Sequence, residues 1–573
     1  MSVLTERPSG MGHRGHLLVW AALAGTLTLY TLSALRLKPE AAFGSYVDDG
    51  VYFSLAKALA AGQGYILPSF PGHLPSMKYP ELYPLLLAGA WKIHPHFPGN
   101  VSIAVGITLS FGCFALLVSF LMLRRWPGLG DWSALGVVLL VGLSGEYLYL
   151  SSMVLSDVPF MALLLGAAWL AELSIDATLT PRWCALSAAG AGLLVGLSVG
   201  LRSLGIPVAA GIGLLLLFRR QFKKLFWFCL TGLPLTLWWS WPAVSAVLGL
   251  HPAVALQDPM RSGWARTVCV YSSYACEWKT TVPNLGALRS IVAQNLRYIT
   301  QAPATLLLSP LPLGRGFLGF LLAVLVIAAA WAGVWRSWRS GGVRPLHAAL
   351  PLYILTMAPF QGTFEVNRYL LPFAPLFFAG LWLEGGHIWR IVVAHSKHGC
   401  GKDERMAAWV LGMGALALAG TVAFNYVWAL PRAMGNLGAT RERVYADELG
   451  AYGWIRQHAD PDARMVADEE GAAYLYTGRQ AVRPLTPSAA GLSDVVRHIR
   501  ASYWLATGAD SMVEIRANRA IPPAGQGSLL ATAPVVYRSA DGFVTLYDTR
   551  CLISALPAGS CALGPTNRAA VSH

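Results

Sequence analysis

Charged side chains are what this 573-residue chain has least of. Asp, Glu, Lys and Arg make up 13% of it, where a soluble domain carries about 25%. That deficit excludes a soluble globular enzyme. The 55% hydrophobic content excludes a disordered chain. Eight cysteines spread over 573 residues are too few for a small fold built on disulfides. Familiar catalytic signatures are missing as well: there is no Walker loop, no HExxH pair and no nucleophile elbow. An internal repeat of fixed period is absent too, which weighs against transporters built from inverted repeats.

Acidic residues are also scarce relative to basic ones, 29 against 43, for a net charge of +14. The location of that excess decides its meaning. Residues 432–573 hold 14 basic and 13 acidic side chains, so +13 falls in residues 1–431. A nucleic-acid binder gathers its excess on a soluble face. Here it sits between hydrophobic segments, where it sets membrane orientation, and nucleic acid is not an expected partner.

Those segments are long enough to span. Apolar runs near the bilayer length of about 20 residues fall at 17–35, 101–123, 132–150, 158–174, 184–201, 203–218, 225–250, 316–335, 345–360, 369–388 and 406–429. The expectation is an all-α polytopic membrane protein with about 11 transmembrane helices. With a cytoplasmic N-terminus, the loops 1–16, 124–131, 175–183, 219–224, 336–344 and 389–405 carry 16 basic residues. The short connections on the other side carry two, Arg202 and Arg368. This alternation predicts an odd number of spans and an extracytoplasmic C-terminus. The first run exceeds a signal-peptide core and reads as an uncleaved anchor.

Three pieces then lie outside: 36–100, 251–315 and 432–573. The last has ordinary globular composition, a helical pattern over Glu442–His458, short β runs at Arg464–Ala467 and Pro534–Tyr537, and turns at Thr477-Gly478 and Asp541-Gly542. The domain reading is a transmembrane domain over 1–431 and a C-terminal extracytoplasmic α/β domain over 432–573. Cys269/Cys276 and Cys551/Cys561 are close pairs on the oxidising side, open to disulfides or to free thiols.

Charge at a membrane face is costly unless it is used or paired. The same topology sends Asp48, Asp49, Lys78, Asp157, Arg202 and Arg368 to one side. Asp48 and Asp49 open a segment whose Val51, Leu55, Ala58 and Leu59 share a helical face, with Gly62 and Gly64 as a stop. The pair suits a helix cap and a dipole partner. It equally suits a general base and a divalent-cation ligand. Ser156-Asp157-Val158-Pro159 reads as a helix start. Lys78, Arg202 and Arg368 are either interfacial anchors or a grip on a phosphate. Glu146 and Glu172 have no partner legible in the sequence, and His94-Pro95-His96 is set aside as interfacial.

In this order, four elements resemble the GT-C superfamily of membrane glycosyltransferases. They are Asp48-Asp49 with the helix through Gly62-Gln63-Gly64-Tyr65, Lys78-Tyr79-Pro80, the Gly-rich run ending at Arg202, and Arg368-Tyr369-Leu370-Leu371-Pro372. Within it the chain is most similar to the bacterial dolichyl-phosphate-mannose-protein mannosyltransferase-like group that includes lipid A aminoarabinose transferases. The resemblance covers roughly 15–430. It implies transfer of a sugar, usually with inversion, from a polyprenyl-phosphate donor to an acceptor protein, glycolipid or glycan at the outer face of the bacterial inner membrane. Asp48 would be the general base. Asp49 would hold the loop or a divalent metal ion, although many members have Glu there. Lys78, Arg202 and Arg368 would bind the donor phosphate, and Asp157 would contact acceptor or metal. The competing reading is a transporter or flippase of a lipid-linked or small anionic substrate. A further one is a non-catalytic envelope assembly protein.

Overall fold

A computed structural model describes residues 13–248, 261–311, 316–360, 366–397, 402–486, 488–507, 529–531 and 533–553. The chain divides into two compact units. The first comprises Met1–Leu37, Val105–Ser240 and Asn284–Asn436; the second comprises Lys38–Ala104, Trp241–Pro283 and Leu437–His573. The second thus draws on each of the three extracytoplasmic pieces read from the sequence.

Among the described residues, seven helices are long and apolar enough to cross a membrane: Arg14–Leu35, Val101–Leu123, Asp157–Ser174, Pro181–Leu201, Gly319–Gly341, Arg368–Ala394 and Gly412–His458. An eighth span results if Asp131–Gly142 and Gly145–Ser151, bent by 61°, count as one. Glycine and serine at that break, Gly142-Leu143-Ser144-Gly145, are the usual residues of a kink.

The sequence reading of about 11 spans includes three further helices that fall outside this test of length and hydropathy. Gly205–Phe218 and Pro345–Met357 have 14 and 13 residues, which at about 1.5 Å per residue fall short of the roughly 30 Å hydrocarbon core. Phe222–Val247 has the length, but Trp227, Trp238, Trp239 and Trp241 dilute its apolar character.

Asp157–Ser174 is the core helix of the first unit, buried at every position from Asp157 through Ala168. An acid stands near each end. Near the C-terminal end, Glu172 accepts from Trp126 Nε1 at 3.0 Å and from Arg344 at 3.2 Å, which supplies the partners the sequence did not reveal. Elsewhere in this unit, the helices Gly316–Gly341 and Ala374–Lys397 cross at Gly333 and Gly380. A Cβ on Gly380 would lie 2.6 Å from the Ala330 carbonyl oxygen, so this close crossing requires a residue without a side chain.

The second unit is α/β. Its five-stranded sheet has the order Ala481–Val482, Arg464–Ala467, Ala501–Thr507, Val544–Asp548, Val535–Arg538. The first three strands pair in parallel and the last two antiparallel. Met465, Val466, Ala467, Ala481, Val482, Trp504 and Leu546 form its core. Helix Glu470–Thr477 connects the two parallel strands Arg464–Ala467 and Ala481–Val482, ending at Gly478 with φ 73°. The expected turn at Thr477-Gly478 is therefore a left-handed helix cap. Helix Ala489–Ile499 buries Leu492, Val495, Val496 and Ile499, a single stripe at 3–4-residue spacing.

The pieces before the sheet are helix Val47–Ala60, the antiparallel pair Ile66–Leu67 and Leu74–Pro75, helix Leu82–Ile93, and helices Gly263–Ser272 and Tyr274–Thr281. Cys269 and Cys276 form a disulfide between the last two, with Cα atoms 5.5 Å apart. The other close pair, Cys551/Cys561, lies partly outside the described residues.

Candidate active site

The six expected site residues fall into two groups, one in each unit. In the second unit, helix Val47–Ala60 starts at an N-cap, Tyr46, that makes no side-chain capping bond. Asp48 is therefore the second residue of the helix rather than its cap. Its Oδ1 accepts from the Tyr79 hydroxyl at 3.0 Å. Asp49 is fully buried, and both its oxygens lie 3.2 Å from the Gly44 N–H that they accept. Of the two parts expected for Asp49, holding the loop is the one with contacts. Among the described residues, no group of three or more His, Cys, Asp or Glu side chains gathers in a metal-binding arrangement, and no step below is routed through a metal.

Tyr79 is held from several sides. Its ring packs edge-on against Tyr52 at 5.2 Å and Tyr274 at 6.5 Å. The Tyr65 hydroxyl donates to the Tyr79 carbonyl at 2.9 Å. Burial, and next the negative charge of Asp48, push the Tyr79 hydroxyl well above its ordinary pKa. It is consequently a proton donor to Asp48 at any physiological pH.

Lys78 is paired within the second unit. Its Nζ lies 2.9 Å from Glu277, and it stands over the rings of Tyr274 and Tyr79 at 5.3 and 5.7 Å. The disulfide fixes the short segment that carries both Tyr274 and Glu277.

In the first unit, Asp157 is the first residue of its helix, and its carboxylate faces two guanidiniums. Arg368 binds it bidentately, Nε to Oδ1 at 2.7 Å and Nη2 to Oδ2 at 2.8 Å. Arg202 Nη2 reaches Oδ2 at 3.0 Å, and Arg202 Nε donates to the Ser156 hydroxyl at 3.1 Å. The Tyr369 ring lies 5.2 Å from the Arg202 guanidinium and 5.9 Å from that of Arg368.

Both arginines sit at backbone breaks. Arg202 is the extended residue between helices Pro181–Leu201 and Gly205–Phe218. Arg368 lies in the short helix Val366–Leu370, before the 3₁₀ turn Leu371–Phe373. Arg368 and Asp157 are 3% and 2% exposed, so this bidentate pair is buried.

Sequence reasoning thus found all six charges but not their pairing. Arg202 and Arg368 meet on Asp157; Asp48 and Lys78 flank Tyr79. Tyr79 and Tyr369 were in view within their motifs. Glu277 was not: its partner is Lys78, far away in sequence, and only the neighbouring Cys276 marked the segment. The reading that the sequence holds no nucleophile elbow overlooked the G-x-S-x-G spacing of Gly196-Leu197-Ser198-Val199-Gly200, but this run lies inside helix Pro181–Leu201 and forms no strand-to-helix turn. Ser198 there is buried and donates to the Val195 carbonyl at 2.7 Å, as a helical serine does.

No family model matches the chain, and no curated protein matches it. Solved structures do. ArnT from Cupriavidus metallidurans, bound to undecaprenyl phosphate, superposes with a TM-score of 0.52 at 12% identity, over 93% of this chain and 99% of that one. The Archaeoglobus fulgidus oligosaccharyltransferase, tethered to an acceptor peptide containing the NVT sequon, superposes at 0.50 and 13% identity, over 93% of this chain and 74% of that one. The same enzyme in complex with Zn and sulfate gives 0.50 at 14% identity, over 91% and 73%. These are GT-C proteins, and at such identity the likeness is one of fold: this chain has the GT-C fold.

Proposed function

We propose that the chain is a glycosyltransferase that moves a sugar from a polyprenyl-phosphate donor to an acceptor hydroxyl or phosphate, with inversion. The observation that carries this reading is the Asp157 cluster, in which two guanidiniums from distant segments converge on one buried carboxylate. Arg is suited to that task because its fork matches phosphate oxygens. Supporting it are the GT-C fold and the fact that ArnT of the same fold was solved with undecaprenyl phosphate bound.

In this mechanism Asp48 takes the proton of an acceptor hydroxyl. The acceptor oxygen attacks the anomeric carbon as the bond from that carbon to the phosphate oxygen breaks. Negative charge builds on the departing lipid phosphate, and Arg202, Arg368 and Lys78 stabilise it. One displacement inverts the anomeric configuration. Asp157 keeps the two guanidiniums in place, and Tyr79 orients Asp48. No nucleotide-sugar site is required, because the lipid carries the activated sugar.

We place the enzyme in a bacterial inner membrane with its N-terminus cytoplasmic and its chemistry at the outer face. The basic loops of the alternating topology support this orientation, as does the Cys269–Cys276 disulfide, a feature of oxidising compartments. The transmembrane part, 1–431 with its first loop 36–100, would carry the catalytic residues beside the C-terminal domain, 432–573.

The test is sugar release from a radiolabelled pool of polyprenyl-phosphate sugars by the protein in lipid nanodiscs, with membrane extract as acceptor. Asp48→Asn is expected to lose about 10²–10⁴-fold in turnover, the usual contribution of a general base, while still binding donor. Unchanged turnover in that variant would make Asp48 a structural residue. Absence of donor consumption by the unaltered protein would favour a transporter.

A further inference from the structure

Helix Val47–Ala60 and helix Glu470–Thr477 cross at two glycines, Gly50 and Gly471. A Cβ built on Gly50 would lie 2.6 Å from the Ala472 amide nitrogen, and one on Gly471 would fall within the Gly50 backbone. Backbone thus meets backbone at this point. Asp48 lies two residues before Gly50, and Glu470 immediately precedes Gly471, so the opening turns of both helices, each carrying an acid, are brought together.

Glu470 is an unusual acid. It is 1% exposed, and neither carboxylate oxygen has a hydrogen-bond partner among the described residues. A buried carboxylate without partners is costly and calls for an explanation. The groups acting on it come from three surrounding segments. Arg483, just after strand Ala481–Val482, favours its charge. The Tyr271 hydroxyl, from helix Gly263–Ser272, acts in the same sense, though it lies outside hydrogen-bond geometry and itself accepts from the Arg483 N–H at 3.2 Å. Asp48, from the third, opposes its charge. The Tyr79 hydroxyl feels the same carboxylate.

We propose that Glu470 is a positioning residue of the Asp48 site, a second carboxyl group whose charge state sets how strongly Asp48 accepts a proton. This rests on Asp48 being the catalytic base. The coupling is mutual: an ionised Glu470 makes a proton on Asp48 more favourable and so makes Asp48 the stronger base. Burial, the largest influence, raises Glu470 to about 7, which places its change of charge in the working range of the enzyme. Glu470 is neutral below that pH and charged above it. Turnover therefore gains an additional rise centred near neutrality, beyond the ionisation that Asp48 itself requires. The donor cannot supply that rise, since a phosphodiester stays singly charged throughout.

The experiment is the pH profile of kcat/KM for the full chain in nanodiscs, for the unaltered protein, Glu470→Gln, Glu470→Asp and Arg483→Gln, with thermal unfolding of each. Gln mimics the neutral acid. Glu470→Gln is expected to match the unaltered protein at about pH 6 and to fall about three- to tenfold behind it at pH 8, an effect the size of a moderate change in base strength. Glu470→Asp keeps an ionisable group and should keep the rise. Arg483→Gln removes a favourable charge, so the rise should move to higher pH, and this holds as a test even if the Gln variant does not fold. A profile in Glu470→Gln parallel to the unaltered one, or a uniform loss at every pH, would overturn the proposal and leave Glu470 a packing residue. Wild-type turnover by Asp48→Asn would instead remove the reading beneath it, whatever the Glu470 variants do.

Discussion

Arg202 and Arg368 share one carboxylate in the first unit, through contacts of 2.7–3.0 Å to a side chain that is 2% exposed. Lys78, in the second unit, lies 2.9 Å from the Glu277 carboxylate, and those two side chains retain 12% and 18% exposure. The difference follows from what surrounds each group. The first unit is built of helices long and apolar enough for a membrane, where an isolated charge is prohibitive and a shared counter-ion is the least costly arrangement. In the second, an α/β body, both members of the Lys78–Glu277 pair keep partial exposure, so the cost of charge there is smaller.

The contrast can be broken most directly at Asp157. Asp157→Ala removes a buried counter-ion shared by two guanidiniums, that of Arg368 itself buried, and is expected to cost about 3–5 kcal/mol of stability, the usual penalty for removing one member of a buried ion pair. Glu277→Gln should cost about 1–2 kcal/mol, between an exposed pair and a buried one. Thermal unfolding of both variants in the same detergent measures the ratio. Equal losses would show that the two pairs sit in equivalent surroundings and would remove the distinction between them.

How much of this was legible beforehand varied with the physics. Apolar length and the basic loops placed the helices, because bilayer thickness is a one-dimensional constraint that a sequence records directly. Strand Arg464–Ala467 was read at its observed bounds, and the Asp48 helix close to its own. The count of about 11 is not confirmed: helices 205–218, 222–247 and 345–357 are too short or too Trp-rich to pass a test of length and hydropathy. Pairing was not legible at all. Ser156-Asp157-Val158-Pro159 reads as a helix start and is one, but nothing in it points to the partners of the Asp157 carboxylate. Its arginines come from 45 and 211 residues away, and no local signal encodes that choice. Glu470 was passed over for the same reason: in the sequence it is one acid of three in Asp468-Glu469-Glu470, and only the fold buries it.

The disulfide sharpens the comparison from the side of the second unit. It ties the two short helices that supply Tyr271, Tyr274 and Glu277, the side chains surrounding Lys78, Tyr79 and Glu470. Replacing Cys269 and Cys276 together by Ser releases a loop of only eight residues, so about 2 kcal/mol or slightly more of stability should be lost on loop-entropy grounds. The expected signature is selective. Donor affinity and turnover should fall together as Lys78 and Tyr79 lose their support, while the Asp157 cluster, whose residues all belong to the first unit, is unaffected. Donor binding that survives intact in the double variant would mean that Lys78 contributes little to phosphate recognition, leaving that task to Arg202 and Arg368.

The smallest expected effect tests the hydrogen bond that holds the proposed base. Tyr79→Phe keeps the ring and its contacts with Tyr52 and Tyr274 but removes the hydroxyl that donates to Asp48 at 3.0 Å. Because burial and the neighbouring acid keep that hydroxyl protonated, it acts on Asp48 only as a donor, and a donor favours the ionised carboxylate. Without it Asp48 holds its proton to higher pH. The acid limb of kcat/KM should therefore move upward in pH, with turnover about three- to tenfold lower on that limb, in keeping with about 1 kcal/mol for the bond. On the alkaline side, where Asp48 is ionised in either protein, the loss should vanish and give way to a small gain, because the same change makes Asp48 the stronger base. That asymmetry separates an electrostatic role from a packing one, because a displaced Asp48 would lose activity equally at every pH. A uniform loss in Tyr79→Phe would mean that the hydroxyl aims Asp48 at its substrate rather than adjusting its affinity for a proton.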